Sequence, residues 1–313
     1  MSIYADQSWV YRFHDTIRLT YQQQGSIIQN KVDPGMVHRD VSAAIDYHER
    51  LGNAIANIGV APFAPTAPLN LRQSRRACTL LSVTAPVLVS DEHTLRSMVN
   101  VQNGYTRSIV MACGRAADKF MITALLGTSQ TAAVTAGTGV ITLGALALPS
   151  ARKIGDSNAV TLARIINAYE LLSKASVPNG MGERIMLYGP GQLRDIMAIT
   201  QASSSDFTRN RLHDRGTIDQ MDWEGFTWLE VPDVVQEDAV TVDVRMLPLA
   251  STTRSCIAFH RGAVGLSIGK DITTVIDVRP DLESRPIQVR ASMMQNAVRV
   301  FEGGVVQMDC KEN

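Results

Sequence analysis

The sequence predicts an α+β fold with its β-structure gathered toward the C-terminus. Three observations carry this prediction. Residues 104–127 hold an unbroken helical periodicity, and residues 161–176 hold a second. From "SCIAFHR" to the end, the chain reads as one β-favouring run after another.

Taken in chain order, residues 1–47 contain apolar side chains but no long periodic run, and "DPG" at 33–35 marks a turn. This pattern predicts an extended N-terminal arm that packs on something other than itself. From Asn53 to Pro68, "NAIANIGVAPFAPTAP" carries Pro62, Pro65 and Pro68. Proline fixes φ and removes a backbone donor, so that density excludes a helix and a central strand. A projecting loop is expected within residues 48–90, closed by the β-favouring "LRQSRRACTLLSVTAPVLVS".

Tyr105, Ile109, Ala112, Ala116, Phe120 and Ala124 recur at three- and four-residue steps, which places them on one helical face. Arg107, Arg115, Asp118 and Lys119 supply polar positions, and Gly127 is placed to stop the helix. At about 1.5 Å per residue this helix is about 30 Å long or more. The Gly-, Ala- and Thr-rich stretch 130–150 reads as short strands and turns. In the second helix Leu162, Ile165, Ile166, Tyr169 and Leu172 share a face, and "VPNG" ends it. Next come a strand, "ERIMLYG", and a helix opening at "GPGQLRDIMAI", where Pro190 sits early and its missing N–H does little harm. "FTWLEV", "SCIAFHR", "AVGLSIG", "TTVIDV", "IQVRASMM", "AVRVFEG" and "VVQMDC" complete the chain as strands.

Composition bounds the function. Of 313 residues, 45% are hydrophobic and 19% charged, enough for a sizeable core. No segment approaches the roughly 18 uninterrupted apolar residues of a membrane helix, and the N-terminus lacks an apolar export core. The expected setting is a cytoplasm. The formal net charge is zero, which does not favour tight nucleic-acid binding. The cations are 24 Arg against 6 Lys, and Arg suits fixed, bidentate pairing across interfaces. Cys78, Cys113, Cys256 and Cys310 have neither CxxC nor zinc spacing, so buried reduced thiols are expected.

The stretch "FHRGAVGLSIGKDI", 259–272, superficially resembles a phosphate loop. A P-loop needs GxxxxGK followed by Ser or Thr, so that the spacer shapes a nest of N–H groups and the hydroxyl reaches magnesium. Here Gly265 and Gly269 enclose three residues, and Lys270 precedes Asp271, whose charge repels a phosphate. The glycines are expected to serve close backbone approach or tight turning. Cys256 and His260, four apart on a strand, are about 13 Å apart and too distant to act together. The histidines at 14, 38, 48, 93, 213 and 260 form no HExxH and are expected to form no close pair. Asp206, Asp214, Asp219 and Asp222 read as a solvated loop, and Ser203 to Ser205 lack a GxSxG frame. The sequence therefore offers no catalytic, cofactor or metal set.

The order of segments across roughly residues 70–313 does carry a resemblance. It runs "LARIINAYELLSKASVPNGMGERIMLYGPGQLRDIM", "WEGFTWLEV", "CIAFHRGAVGLSIGKDI" and "IQVRASMMQNAVRVFEGGVVQMDC". This resembles the major capsid proteins of tailed double-stranded DNA phages, with the Hong Kong 97-type fold. "AADKFMITALLGTS" looks like the end of that family's spine helix, and "RQSRRACTLL" resembles the segment closing its extended loop. Residues 53–68 and "VVQEDAVTVDVRMLPLAS", 234–251, depart from the pattern, the latter as an insertion or lengthened hairpin.

The resemblance implies a division into an N-terminal arm (1–47), an extended loop (48–90), a peripheral domain (91–150 and 270–313) with its spine helix, and an axial α/β domain (151–269). It implies a non-enzymatic subunit that assembles into hexamers and pentamers of an icosahedral shell around double-stranded DNA. Zero net charge suits a shell that encloses DNA without gripping it. A portal, a decoration protein and a separate scaffolding protein are expected partners, since only about fifty residues precede the loop. Some members link Lys to Asn covalently; residues 50–90 hold no Lys, so an unlinked shell is expected. Arg72, Arg75 and Arg76 at the loop base are the expected assembly contacts, with Arg75 and Arg76 on opposite sides of a strand. The competing readings are an encapsulin-like nanocompartment and, more remotely, a nucleotide-binding or thiol enzyme.

Overall fold

The computed structural model describes residues 25–56, 58, 68–69, 71–89, 101–134, 141–180, 182–199, 218–234, 244–283 and 285–312. The expectations for residues 1–24, Pro62, Pro65, Ser203 to Asp206, Asp214, most of the proline-rich loop and the middle of the 234–251 insertion lie outside the described residues.

In chain order the elements are β1 (Val37–His38), β2 (Ile45–Leu51), β3 (Gln73–Thr79), β4 (Leu81–Val89), α1 (Val101–Leu126), β5 (Ser129–Val134), β6 (Ile141–Leu146) and β7 (Lys153–Asn158). Then follow α2 (Leu162–Lys174), β8 (Arg184–Tyr188), α3 (Pro190–Met197), β9 (Asp222–Trp223), β10 (Phe226–Glu230), β11 (Asp233–Val234) and β12 (Val244–Arg245). The chain closes with β13 (Leu249–Ala250), β14 (Thr253–His260), β15 (Val264–Val278), β16 (Ile287–Arg299) and β17 (Val305–Lys311). The three helices and the C-terminal strands fall where the sequence places them, except that "AVGLSIG" and "TTVIDV" join into the single long strand β15, and "IQVRASMM" and the start of "AVRVFEG" into β16.

The chain folds as two units. The larger comprises residues 26–81, 117–270 and 294–313; the smaller includes residues 82–116 and 271–293. The larger unit is built on a sheet ordered β7-β17-β14-β8-β10-β9, with β13 beside β14. The ladders β8–β10 and β7–β17 are parallel, and β14 runs antiparallel to both β8 and β17. Every residue of β8 is buried, as expected of a central strand covered on both faces.

Period-two alternation then sorts its side chains into two cores. Ile185, Leu187, Ile257 and Phe259 join one core, where Met121, Ile122 and Leu125 of α1 lie with Ile28 and Val32. Met186, Tyr188, Cys256 and Ala258 join the other, covered by Ile165, Ala168 and Leu172 of α2 and Ile196 of α3. The result is three layers, helix on sheet on helix.

The structure differs from the sequence reading in four places. First, residues 26–51 belong to the body. Ile28 is fully buried, and Asp118 accepts from the amides of Ile27 (2.8 Å) and Ile28 (3.1 Å) as well as from Ser26 Oγ. A buried carboxylate holding three donors pins this segment to its own chain. Second, β17 pairs with β14 and β7, so the C-terminal residues belong to the sheet of the 151–269 region and not to the peripheral set. Third, the deepest seam of α1 is Cys113, Ala117, Met121 and Leu125, one step round from the expected stripe. Fourth, Ile166 of α2 faces outward, because the buried arc runs through Ile165, Ala168 and Leu172.

Buried arginines satisfy chain ends that the sheet cannot. Arg299 donates to the carbonyls of Leu125 (2.7 Å), Gly127 (2.7 Å) and Leu146 (3.0 Å), so a cation sits at the C-terminus of α1. Arg254 grips Asp233 bidentately at 2.7 and 2.8 Å and Glu312 at 2.9 Å, tying the base of the β11–β12 hairpin to the end of the chain. Burial lowers its pKa, but bonds to the two carboxylates outweigh this and leave it raised.

In the smaller unit, β4 and the outer parts of β15 and β16 form a ribbon. Thr273 Oγ1 bonds Ser292 across it, and Arg279 closes its turn on Asp281 and Gln288.

The glycines of 259–272 do what a phosphate loop would not. A Cβ on Gly265 would lie 2.6 Å from the His48 ring, and one on Gly269 would lie 2.9 Å from the Val41 carbonyl. Both positions admit another segment against β15. The buried His48 ring is held by Ser267 and cannot swing aside. Gly265→Ala is therefore expected to destabilise the chain by about 1–3 kcal/mol. Thermal unfolding of the purified subunit checks this, and an unchanged midpoint contradicts it.

Candidate assembly surface

The β2–β3 hairpin carries the three arginines singled out in the sequence. Its register pairs Glu49 with Arg75 and His48 with Arg76. Successive side chains on a strand point to opposite faces, so these two pairs point apart. Beyond the ladder, the Gly52 amide donates to the Arg72 carbonyl at 2.8 Å and closes the base of the loop.

Arg75 lies on the outer face and reaches Glu49 at 2.8 Å, both side chains well exposed. Such a pair is worth about 0–1 kcal/mol, so it yields readily to another partner. Arg72 is exposed as well. Arg76 is not a surface contact. Its side chain turns inward, almost fully buried, and its Nη2 meets Glu302 Oε1 at 2.7 Å. Arg50 Nη1 meets the other carboxylate oxygen at 2.8 Å. Burial raises the Glu302 pKa, but its own backbone N–H and the two arginines outweigh that and hold it below its ordinary value. The alternation of the strand was legible in sequence. Which face the body covers was not, because Glu302 lies far along the chain.

The limbs of the loop are apolar and uncovered. Leu51 is 57% exposed, Ile55 82%, Ile58 95% and Leu69 50%. Four large aliphatic side chains are thus exposed on the two limbs of one loop.

A second grouping escaped the sequence because its members are brought together only by the fold. His38 on β1 and His48 on β2 stack with ring centroids 4.2 Å apart and planes 12° from parallel. Asp46 Oδ2 lies 2.6 Å from His38 Nδ1 and 2.7 Å from the Ser267 hydroxyl, and His48 Nε2 lies 3.0 Å from that hydroxyl. Burial brings the His48 pKa down to about 4, helped by the charge of His38 and opposed by Asp46. The even separation of 46 and 48 on one strand is the signal that could have found them.

The residues considered for chemistry are otherwise engaged. Cys256 is buried beside Cys310, and that contact together with burial raises its pKa well above the ordinary thiol value. His260 accepts from the Gly262 amide at 3.1 Å and does not meet Cys256. Asp219 accepts from the Glu230 amide at 2.9 Å, and Asp222 accepts from Thr227. All four cysteines are free and buried.

This mixed α and β architecture is that of phage capsid subunits of the Hong Kong 97 type. The chain from Mycobacterium phage Che8 is 17% identical, with a TM-score of 0.66 over 96% of this chain and 97% of that one. The Cyanophage Pam1 capsid is 14% identical, with a TM-score of 0.68 over 98% of both chains. The head structure of Helicobacter pylori bacteriophage KHP40 is 10% identical, with a TM-score of 0.70 over 100% of this chain and 98% of that one. At such identities the likeness is one of fold. No curated protein matches in sequence. A family model described as phage capsid protein matches residues 5–312, and the chain belongs to that family. As a member of that family it is a structural component of the virion capsid.

The two arginines separate by experiment. Arg76→Ala leaves Glu302 with Arg50 alone and is expected to destabilise the subunit by about 1–3 kcal/mol, whereas Arg75→Ala changes stability by under about 0.5 kcal/mol. The depressed Glu302 pKa gives stability that is complete above its ordinary value of 4.5 and is lost as pH falls through the lower folded value. Denaturant titrations at neutral pH and below 4.5 check both points. Equal losses for the two variants, or an Arg76→Ala penalty that does not shrink in acid, contradict the assignment.

Proposed function

We propose that this chain is the major capsid protein of a tailed phage, closing with copies of itself, as hexamers and pentamers, into an icosahedral shell around double-stranded DNA. One observation supports this most strongly: the body buries two apolar cores of its own, while the apolar limbs hold the most exposed aliphatic side chains of the described residues, Ile55 and Ile58, beside Leu51 and Leu69. Burying one such side chain contributes about 1.5–3 kcal/mol, and an adjacent copy is the occupant that a shell supplies. Contacts of this obligate kind commonly exceed about 2,000 Å².

In this reading the limbs next to β2 and β3 meet a neighbouring subunit, where Arg75 exchanges its weak pairing with Glu49, and Arg72 commits its exposed side chain, to carboxylates of that neighbour. Arg76 keeps its place inside the subunit. The division into arm, extended loop, peripheral domain and axial domain follows the sequence expectation, with two changes. Residues 26–47 are withdrawn from the arm, and β17 is counted with the axial sheet. A scaffolding protein, a portal and a decoration protein are the further partners this role calls for.

The test is electron microscopy of the expressed chain beside Arg72→Ala/Arg75→Ala. The account expects polyhedral particles from the parent, and a several-fold lower yield from a variant whose subunit still melts normally. Normal yield from the variant rejects the role of the two arginines, and a strictly monomeric parent rejects the shell. With no Lys in residues 50–90, denaturing gels of the particles are expected to show one band, and a ladder contradicts the unlinked shell.

A further inference from the structure

We propose, on the basis of the shell reading above, that the free edge of β6 is the surface that receives the loop. It takes up residues 52–58 of a second copy of this chain as an added strand.

The sheet ordered β2-β3-β5-β6 has two edges, and they are built differently. An edge strand presents unpaired N–H and C=O groups, and proteins blunt such edges with charge, proline or a bulge. β2 follows that practice with Asp46, Glu49 and Arg50. β6, "ITLGAL", holds neither charge nor proline, and its ladder with β5 runs unbroken from Leu146 opposite Ser129 to Ile141 opposite Val134. Every residue from Ile141 to Ala145 is exposed, so the strand is open on both faces as well as along its edge. A bare, regular, apolar edge is a template for strand addition.

The loop limb matches this edge in chemistry and in length. Residues 51–71 and 120–151 contain no Asp, Glu, Lys or Arg, so joining the two desolvates no charge. The first proline of the loop is Pro62, which leaves residues 52–58 able to donate at every position. At about 3.3 Å per residue, β6 offers about 20 Å of edge, and residues 52–58 span it when extended. Among the described residues, no strand pairs with Asn53 to Ala56. On an extended limb Ile55 and Ile58 fall on opposite faces. β6 has an apolar side chain for each, with Ile141 and Leu143 on one face and Leu146 on the other.

The edge is also continuous with the arginine face. Leu143 lies opposite Ala132, Ala132 opposite Arg75 and Arg75 opposite Glu49, so one row crosses the sheet to the exposed ion pair. A strand added at β6 therefore brings a neighbour to the face that carries Arg75. Within one chain β3 and β5 stand between β2 and β6, and the limb leaves from the far edge. A second copy supplies the limb that this edge lacks.

The test coassembles a full-length chain carrying Ile55→Cys with one carrying Leu143→Cys and joins close thiols with a short bismaleimide. The four native cysteines are buried and stay out of the reaction. A dimer band is expected from the mixture and from neither variant alone. Dimers from Leu143→Cys alone would mean that two β6 edges meet, and a mixture without dimers would mean that the limb goes elsewhere; either overturns the proposal. Leu143→Lys blunts the edge with charge and is expected to lower particle yield several-fold in a subunit that melts normally. Ala145→Lys, also at an exposed position, serves should that variant fold poorly. Normal yield from a folded lysine variant overturns the proposal. Particles that form without the cross-link reject this edge and leave the shell standing, whereas a parent that stays monomeric rejects both.

Discussion

The central sheet of the larger unit is buried on both faces, and the rest of that unit is arranged around this constraint. β8 has no exposed residue, so its neighbours must supply two separate apolar cores from alternate side chains of the same strands. Met186 and Ile185 are adjacent in sequence yet serve opposite cores, as do Cys256 and Ile257. Helices α2 and α3 cover one face. The end of α1 and the segment around Ile28 cover the other. A polar substitution in β8 therefore has no solvent face to turn to.

Charge is used inside this body to fasten irregular segments. Arg299 closes the end of α1, Arg254 holds a hairpin and the chain terminus, and Arg50 with Arg76 holds Glu302. Each guanidinium offers several donors in a planar fork: Arg299 meets converging carbonyls, Arg254 grips Asp233 bidentately, and Arg50 and Arg76 each take one oxygen of Glu302. This accounts for part of the excess of Arg over Lys that the sequence alone attributes to interfaces. Some of these cations work within the subunit, and the exposed remainder, Arg72 and Arg75 among them, is what an assembly can draw on.

Much of the fold was legible because local period and long-range packing agree. The helices at 104–127 and 161–176 and the C-terminal strands are strongly patterned, and their order carries the family resemblance. The reading failed where a decision rests on partners distant in sequence. Nothing near Arg76 announces Glu302. Nothing near residues 26–28 announces that Asp118 will hold the amides of Ile27 and Ile28, so the segment reads as an arm that packs elsewhere. Gly265 is legible as a close approach, but its visitor, His48, becomes evident only once β2 lies against β15. The His38–Asp46–His48 grouping was missed for the same reason, since its pieces meet through the pairing of β1 with β15.

The account of function rests on a contrast between a subunit whose core is complete and loop limbs that are not. Hydrogen exchange of the limbs, residues 51–56 and 71–72, compared between free subunits and purified particles, tests it most directly. The account predicts fast exchange in the subunit and strong protection in the particle, with β8 and β14 protected in both. Limbs that exchange equally in the two states would contradict it.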